Sequence, residues 1–244
     1  MFWMKLGFVF IFAGYTAKLG LFPMFTAGID AKDKAPAPAG ALLASALMNL
    51  GFCGIFRVYA VLTGTPVAAW ARAILIVASL LTLFIATAYM IRIRNVKRML
   101  AYSGIEHMSV VTLGLAFGQA GMVAALLHMV MHTFIKSGLF FHFTQIWKTY
   151  KSKMLDDMGD YLSLNPFGAL VLLLGFVSIT AVPPSGLFFS ELLVFKAMIA
   201  EGSWVVFILT AFLLTVLIWA FARSIFRILF LPAAKAASYA FYLV

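Results

Sequence analysis

Apolar stretches of about 18 residues or more follow one another along nearly the whole chain, each long enough to cross the hydrocarbon layer of a bilayer. Short polar clusters with turn or breaker residues separate them: Asp30-Ala-Lys-Asp-Lys-Ala-Pro36, Thr63-Gly-Thr-Pro66, Gly118-Gln-Ala-Gly121 and Ser163-Leu-Asn-Pro166. The pattern predicts seven spans, at about 5–27, 38–62, 69–92, 101–117, 122–147, 166–198 and 204–224. Span length decides for helices, because a membrane barrel strand needs only about ten residues and alternates in polarity. The expected fold is all-α, a polytopic transmembrane helix bundle forming a single domain over residues 1–230, with a tail at 231–244.

Threading the chain through seven spans sorts its charges. One side collects Lys32, Lys34, Arg92, Arg94, Lys97, Arg98, Lys148, Lys151, Lys153, Arg223, Arg227 and Lys235, while the other receives little beyond Lys5 and Arg72. Excess Lys and Arg mark cytoplasmic loops, so the expectation is a multi-pass protein of the inner (cytoplasmic) membrane, N-terminus outside and C-terminus in the cytoplasm. Composition agrees: 64% of residues are hydrophobic and only 11% charged, too few to give a soluble domain its polar skin. The net charge of +10 does not point to nucleic acid, since the basic residues lie in short loops between apolar spans and not in a patch interleaved with aromatics. A single cysteine, Cys53, excludes an internal disulfide and a cysteine-ligated cluster, so no redox cofactor is expected on this chain. The first apolar run meets Lys18 and Pro23 where a cleavable leader would carry small residues.

Two spans carry breakers at membrane depth. The first contains Lys18-Leu-Gly-Leu-Phe-Pro23 and the sixth Thr180-Ala-Val-Pro-Pro-Ser-Gly186. Proline inside a helix costs roughly 3 kcal/mol or more, so Pro23, Pro183 and Pro184 predict interrupted helices. A pair of interrupted spans points to a transport site, because freed backbone groups within a membrane need a cavity or a polar partner. A kink that only improves packing is the alternative for either helix alone.

The fifth span reads His128-Met-Val-Met-His132-Thr-Phe-Ile-Lys136. Four residues advance a helix by about 6 Å and return to the same face, so three basic groups form a ladder roughly 12 Å long. A charge at that depth costs about 2.5–3.5 kcal/mol or more, and histidine titrates near neutral pH, which suits a proton relay. The i, i+4 histidine pair also has zinc spacing, but no cysteine or neighbouring acid completes a ligand set, so no metal is assigned. Lys18 lies beside the first break and Glu191 follows the second, and each is expected to face a polar interior. Glu106 and His107, opening the fourth span, either begin a cytoplasmic access path or form a surface pair with Arg98. Asn49 is either a helix-to-helix hydrogen bond or a functional group. No nucleophile triad, phosphate loop or cluster motif is present.

Several of these segments resemble the antiporter-like membrane subunits of respiratory complex I, Mrp antiporters and membrane-bound hydrogenases. They are Lys18-Leu-Gly-Leu-Phe-Pro-Met-Phe, Ala35-Pro-Ala-Pro-Ala-Gly-Ala-Leu-Leu, Asn95-Val-Lys-Arg-Met-Leu-Ala-Tyr-Ser103, His128-x3-His132-x3-Lys136-Ser-Gly-Leu-Phe and Pro183-Pro-Ser-Gly-Leu-Phe-Phe-Ser-Glu191. Ser103-Gly-Ile-Glu-His-Met108 and Leu47-Met-Asn49 look most like the F-type subunit of hydrogenase-4 and formate hydrogenlyase; complex I relatives often place a lysine where Asn49 stands. The resemblance implies a proton channel along the membrane midplane. Lys18 would be the central lysine of one half-channel and Lys136 its bridging partner. His128 and His132 would carry protons between them, and Glu191 would be the terminal exchange group. The resemblance further implies other membrane-arm subunits and a peripheral hydrogenase or dehydrogenase module as partners, with redox chemistry there as the driving force. An Mrp-type cation/proton antiporter subunit and a non-conducting structural subunit are the alternatives. Relatives carry several helices ahead of Lys18, one with a glutamate that pairs with that lysine, so an incomplete first inverted repeat is expected here.

Overall fold

The computed structural model describes residues 1–232. The chain runs through α1 (Phe2–Leu19), α2 (Phe25–Lys34), α3 (Ala37–Ala44), α4 (Ala46–Leu62), α5 (Ala68–Ile91), α6 (Val96–Ala116), α7 (Gly118–Tyr150), α8 (Tyr161–Leu164), α9 (Pro166–Ile179), α10 (Gly186–Ala200) and α11 (Trp204–Phe230). Strand structure among the described residues is limited to one isolated antiparallel bridge between Asn95 and Met154. Four segments are by themselves long and apolar enough to cross a membrane: Ala37–Leu62, Ala68–Ile91, Gly118–Tyr150 and Trp204–Phe230. Large apolar side chains such as Phe10, Phe84, Phe134, Val205 and Phe212 stand exposed on the outside of the bundle. In water such a surface would drive association; against lipid tails it is at rest.

Helix α6 is the axis of the bundle. It is buried along its whole length except at Arg98, with α5, α7 and α10 packed around it. Its polar residues therefore face protein and not lipid, the condition under which ionisable groups persist at membrane depth. The start of α6 is fixed by Asn95, whose side-chain oxygen accepts hydrogen bonds from the backbone N–H of Lys97 (2.9 Å) and Arg98 (3.2 Å). That places the helix start five residues ahead of the expected 101. Helix α7 likewise runs beyond the expected 122–147, since Gly118-Gln-Ala-Gly121 forms its first turn.

Both expected breaks are present. Helix α1 stops at Gly20, left-handed at φ 88°, whose N–H donates to the Thr16 carbonyl at 2.7 Å. Gly20 is also pressed against α6: a Cβ there would lie 2.5 Å from Ile105 Cγ2. The backbone N–H of Phe22, freed by the break, donates to Thr82 Oγ1 on α5 at 2.8 Å. Past Pro23 the chain resumes as α2 and runs to Lys34, well beyond the expected end of the span at 27. The second break separates α9 from α10 over residues 180–185 and contains Pro183 and Pro184. Ser185 then caps α10, accepting from the N–H of Phe188 at 3.2 Å. A third interruption, at Ser45, divides the expected 38–62 span into α3 and α4, with the Ser45 hydroxyl turned onto the Ala41 carbonyl at 2.7 Å.

The loops assigned to the basic side do meet. Asp33 at the end of α2 pairs with Arg98 (3.3 Å) and Lys153 (3.5 Å), Asp30 pairs with Arg98 (2.6 Å), and Arg227 pairs with Asp156 (2.8 Å). At the opposite end Arg72 pairs with Glu201. The tail expected at 231–244 lies outside the described residues from 233 onward.

Candidate functional site

The ladder on α7 is built as its spacing requires. His128, His132 and Lys136 lie on one face, each with no exposed surface, and all three meet α6, the histidines at His107 and the lysine at Ser103. The Lys136 ammonium donates to Ser103 Oγ on α6. One turn further along α6 stand Glu106 and His107, and here the structure corrects the expectation. They do not form a surface pair with Arg98; both are buried in mid-helix, because α6 begins at Val96. Arg98 instead serves Asp30 and Asp33.

His107 joins the ladder. Its Nδ1 lies 3.1 Å from His128 Nε2, and its ring centroid is 5.1 Å from that of His128 and 5.0 Å from that of His132. On its other edge, Nε2 is 3.4 Å from Glu106 Oε2. The remaining nitrogen of His128, Nδ1, is 3.0 Å from Ser190 Oγ on α10, next to Glu191. Glu191 is buried as expected. With Ser103, Glu106 and Thr180 it lines a cavity of about 10 Å³, close to the roughly 10–15 Å³ that one water needs. Thr180 opens the break between α9 and α10, so the interrupted span and the buried carboxylates share one small chamber, walled elsewhere by apolar side chains such as Leu214, Leu217 and Phe221.

Lys136, Ser103, Glu106, His107, His128, Ser190 and Glu191 thus form a near-continuous string through the middle of the bundle. Every member accepts or donates protons in hydrogen bonds. One ligand atom each from His107, His128 and Glu191 falls within 4.8 Å of the others, so an acid does lie beside two imidazoles, though not the pair that the spacing singled out. His107 Nδ1 and His128 Nε2 face each other at hydrogen-bond distance, while His107 Nε2 has no hydrogen-bond partner among the described residues.

Two expected residues lie elsewhere. Lys18 does not reach this string and is exposed on the outside of the described bundle. The reason is helical phase: α1 packs through Phe8, Phe12, Thr16 and Leu19, and Lys18 falls off that stripe. Asn49 makes a helix-to-helix hydrogen bond, its amide donating to Thr133 Oγ1 on α7 at 2.9 Å. Lys32, read from the sequence as one more loop cation, is only 2% exposed.

A membrane-embedded helix bundle with two proline-broken spans and ionisable groups strung along its interior is the architecture of an antiporter-like transport subunit. The chain belongs to the NADH:quinone oxidoreductase/Mrp antiporter transmembrane family, which it matches over residues 2–218. It is 34% identical over 216 residues to the hydrogenase-4 component F homolog of Methylacidiphilum infernorum, covering 87% of this chain and 45% of that protein. It is 32% identical over 198 residues to NADH-quinone oxidoreductase subunit N of Thiobacillus denitrificans, covering 80% of this chain and 41% of that one. Its fold superposes on a chain of an archaeal membrane-bound sulfane sulfur reductase with a TM-score of 0.84 at 24% identity, over 97% of this chain and 50% of that chain. The chain therefore spans about half the length of the relatives it matches.

Proposed function

We propose that this chain is a proton-translocating membrane subunit of a hydrogenase-4- or complex I-type oxidoreductase. Protons pass along Lys136, Ser103, Glu106, His107, His128, Ser190 and Glu191, with His132 beside His107. The observation that carries the reading is the unbroken burial of this string at the centre of a lipid-facing bundle. Removing so many ionisable groups from water is expensive, and a scaffold gains nothing from them that apolar packing would not supply. The break at 180–185 adjoins the string, Thr180 lining the same cavity as Ser103, Glu106 and Glu191, as interrupted spans at transport sites in membranes do.

Electrons move in partner subunits. A peripheral hydrogenase or dehydrogenase module and further membrane-arm subunits complete the assembly, in which changes of charge at one group shift its neighbours. The membrane is the cell's inner one, with the basic end of the bundle in the cytoplasm.

The test is turnover-driven proton uptake into vesicles carrying the assembled complex, wild type against Lys136→Met. Uptake lost with assembly and electron transfer intact supports the reading. Undiminished uptake rejects it and leaves the chain a structural element. Uptake that follows an imposed sodium gradient in the absence of electron transfer would make it an Mrp-type antiporter subunit instead.

A further inference from the structure

Lys32 is the buried cation that this string does not yet use. It sits in the last turn of α2, in a loop by sequence and in the interior by structure. Among the described residues its ammonium finds a soft partner, Met48 Sδ on α4 at 3.0 Å. A thioether is a weak acceptor and solvates an ammonium poorly. Nothing in the packing explains why an apolar residue would not serve better at this position.

What lies beside it does. Helix α6 passes with Gly104, one residue from Ser103, which binds Lys136. A Cβ on Gly104 would stand 3.8 Å from Lys32 Nζ and 3.5 Å from Lys136 Cε. The two lysines, one from α2 and one from α7, therefore converge over a position on α6 that has no side chain. Two ammonium ions so close in apolar surroundings repel strongly, whereas one ammonium and one amine share a proton at ease. On the other side, Lys32 leads to the basic end. Two residues on, Lys34 lines a cleft of about 440 Å³ together with Ala35, Lys97 and Lys153. The carbonyl of Asp33 accepts from Lys97 (3.2 Å) and Lys153 (2.9 Å), which ties this segment to the cleft wall.

We infer that Lys32 exchanges protons with Lys136 through the space that Gly104 leaves open, joining the buried string to the cleft at the basic end. This rests on the relay reading above. In the inward step an N–H bond of the Lys32 ammonium breaks and one forms on the Lys136 amine, with no change of oxidation state. Lys32 then recovers its proton from the cleft.

The experiment compares turnover-driven proton uptake by the assembled complex in vesicles for wild type, Lys32→Met, Lys32→His, Gly104→Ala and Lys136→Met. Lys32→Met is expected to slow uptake at least tenfold, and Lys32→His to restore most of it. A packing role predicts the reverse order, because Met matches the lysine stem and His does not. Gly104→Ala adds a methyl at ordinary contact distance, so the fold tolerates it, and uptake is expected to fall several-fold. Wild-type uptake in Lys32→Met with uptake abolished in Lys136→Met removes Lys32 from the route and leaves the relay standing. Wild-type uptake in both overturns the relay itself. If Lys32→Met does not assemble, Gly104→Ala decides, and unchanged uptake there overturns the inference.

Discussion

His132 has neither ring nitrogen hydrogen-bonded among the described residues, although it is fully buried. A buried polar group left without a partner costs about 1–3 kcal/mol. His132→Leu is therefore expected to raise the thermal midpoint of the purified complex while lowering proton uptake, a trade that a packing histidine would not show. Differential scanning of the complex beside the vesicle assay checks both halves. His107 touches two of the three ladder groups, so His107→Phe, which keeps a ring and removes both nitrogens, should cut uptake at least tenfold. Legibility at this scale follows from local geometry. The α7 ladder was readable because helical spacing alone puts His128, His132 and Lys136 on one face. The role of His107 was hidden by a helix start placed five residues late, and the cap at Asn95 is the signal that corrects it. Lys32 was hidden more deeply: among Asp30, Lys32, Asp33 and Lys34, only the path of α2 decides which charge turns inward.

The elements owe their ends to a few positions. Gly20 holds φ 88° and lies against Ile105, so Gly20→Ala meets both backbone strain and a 2.5 Å contact. The substitution is expected to destabilise by about 1–3 kcal/mol, seen as a lower unfolding midpoint in detergent. The proline breaks were legible because Pro23, Pro183 and Pro184 remove donors wherever they stand. The break at Ser45 was not, since Ala-Ser-Ala carries no breaker. At the surface end of α2, Asp33 gathers Lys153, Asn95 and Arg98. Burial alone would raise its carboxyl, but the Lys153 charge and the Asn95 and Arg98 hydrogen bonds outweigh it and hold the group below its ordinary 3.8. A depressed carboxyl contributes its stability above that ordinary value and loses it as pH falls through the folded one. The thermal midpoint of wild type should thus drop, as pH falls below about 4, by more than that of Asp33→Asn.

For the molecule as a whole, the alternation of seven expected spans made a claim about neighbours. Loops counted onto one side must meet in space, and they do: Asp33 reaches Arg98 and Lys153, Asp156 reaches Arg227, and Arg72 reaches Glu201 at the other end. Sidedness was legible because charge bias acts on every loop together, so the reading survives an error of several residues at any one boundary. Which end faces the cytoplasm is a further matter, which contacts within the chain do not address and labelling does. Cys53 is first replaced by serine, and single cysteines are then placed at Lys148, exposed at the basic end, and at Gly64, where the surroundings are open. In right-side-out vesicles a membrane-impermeant maleimide should modify Gly64→Cys and spare Lys148→Cys until the membrane is permeabilised. The opposite pattern would put the basic end outside and reverse the direction in which protons enter at Lys32. Because the cleft at Lys34, Lys97 and Lys153 lies at that same end, this one measurement also fixes the compartment from which the inferred route draws its protons.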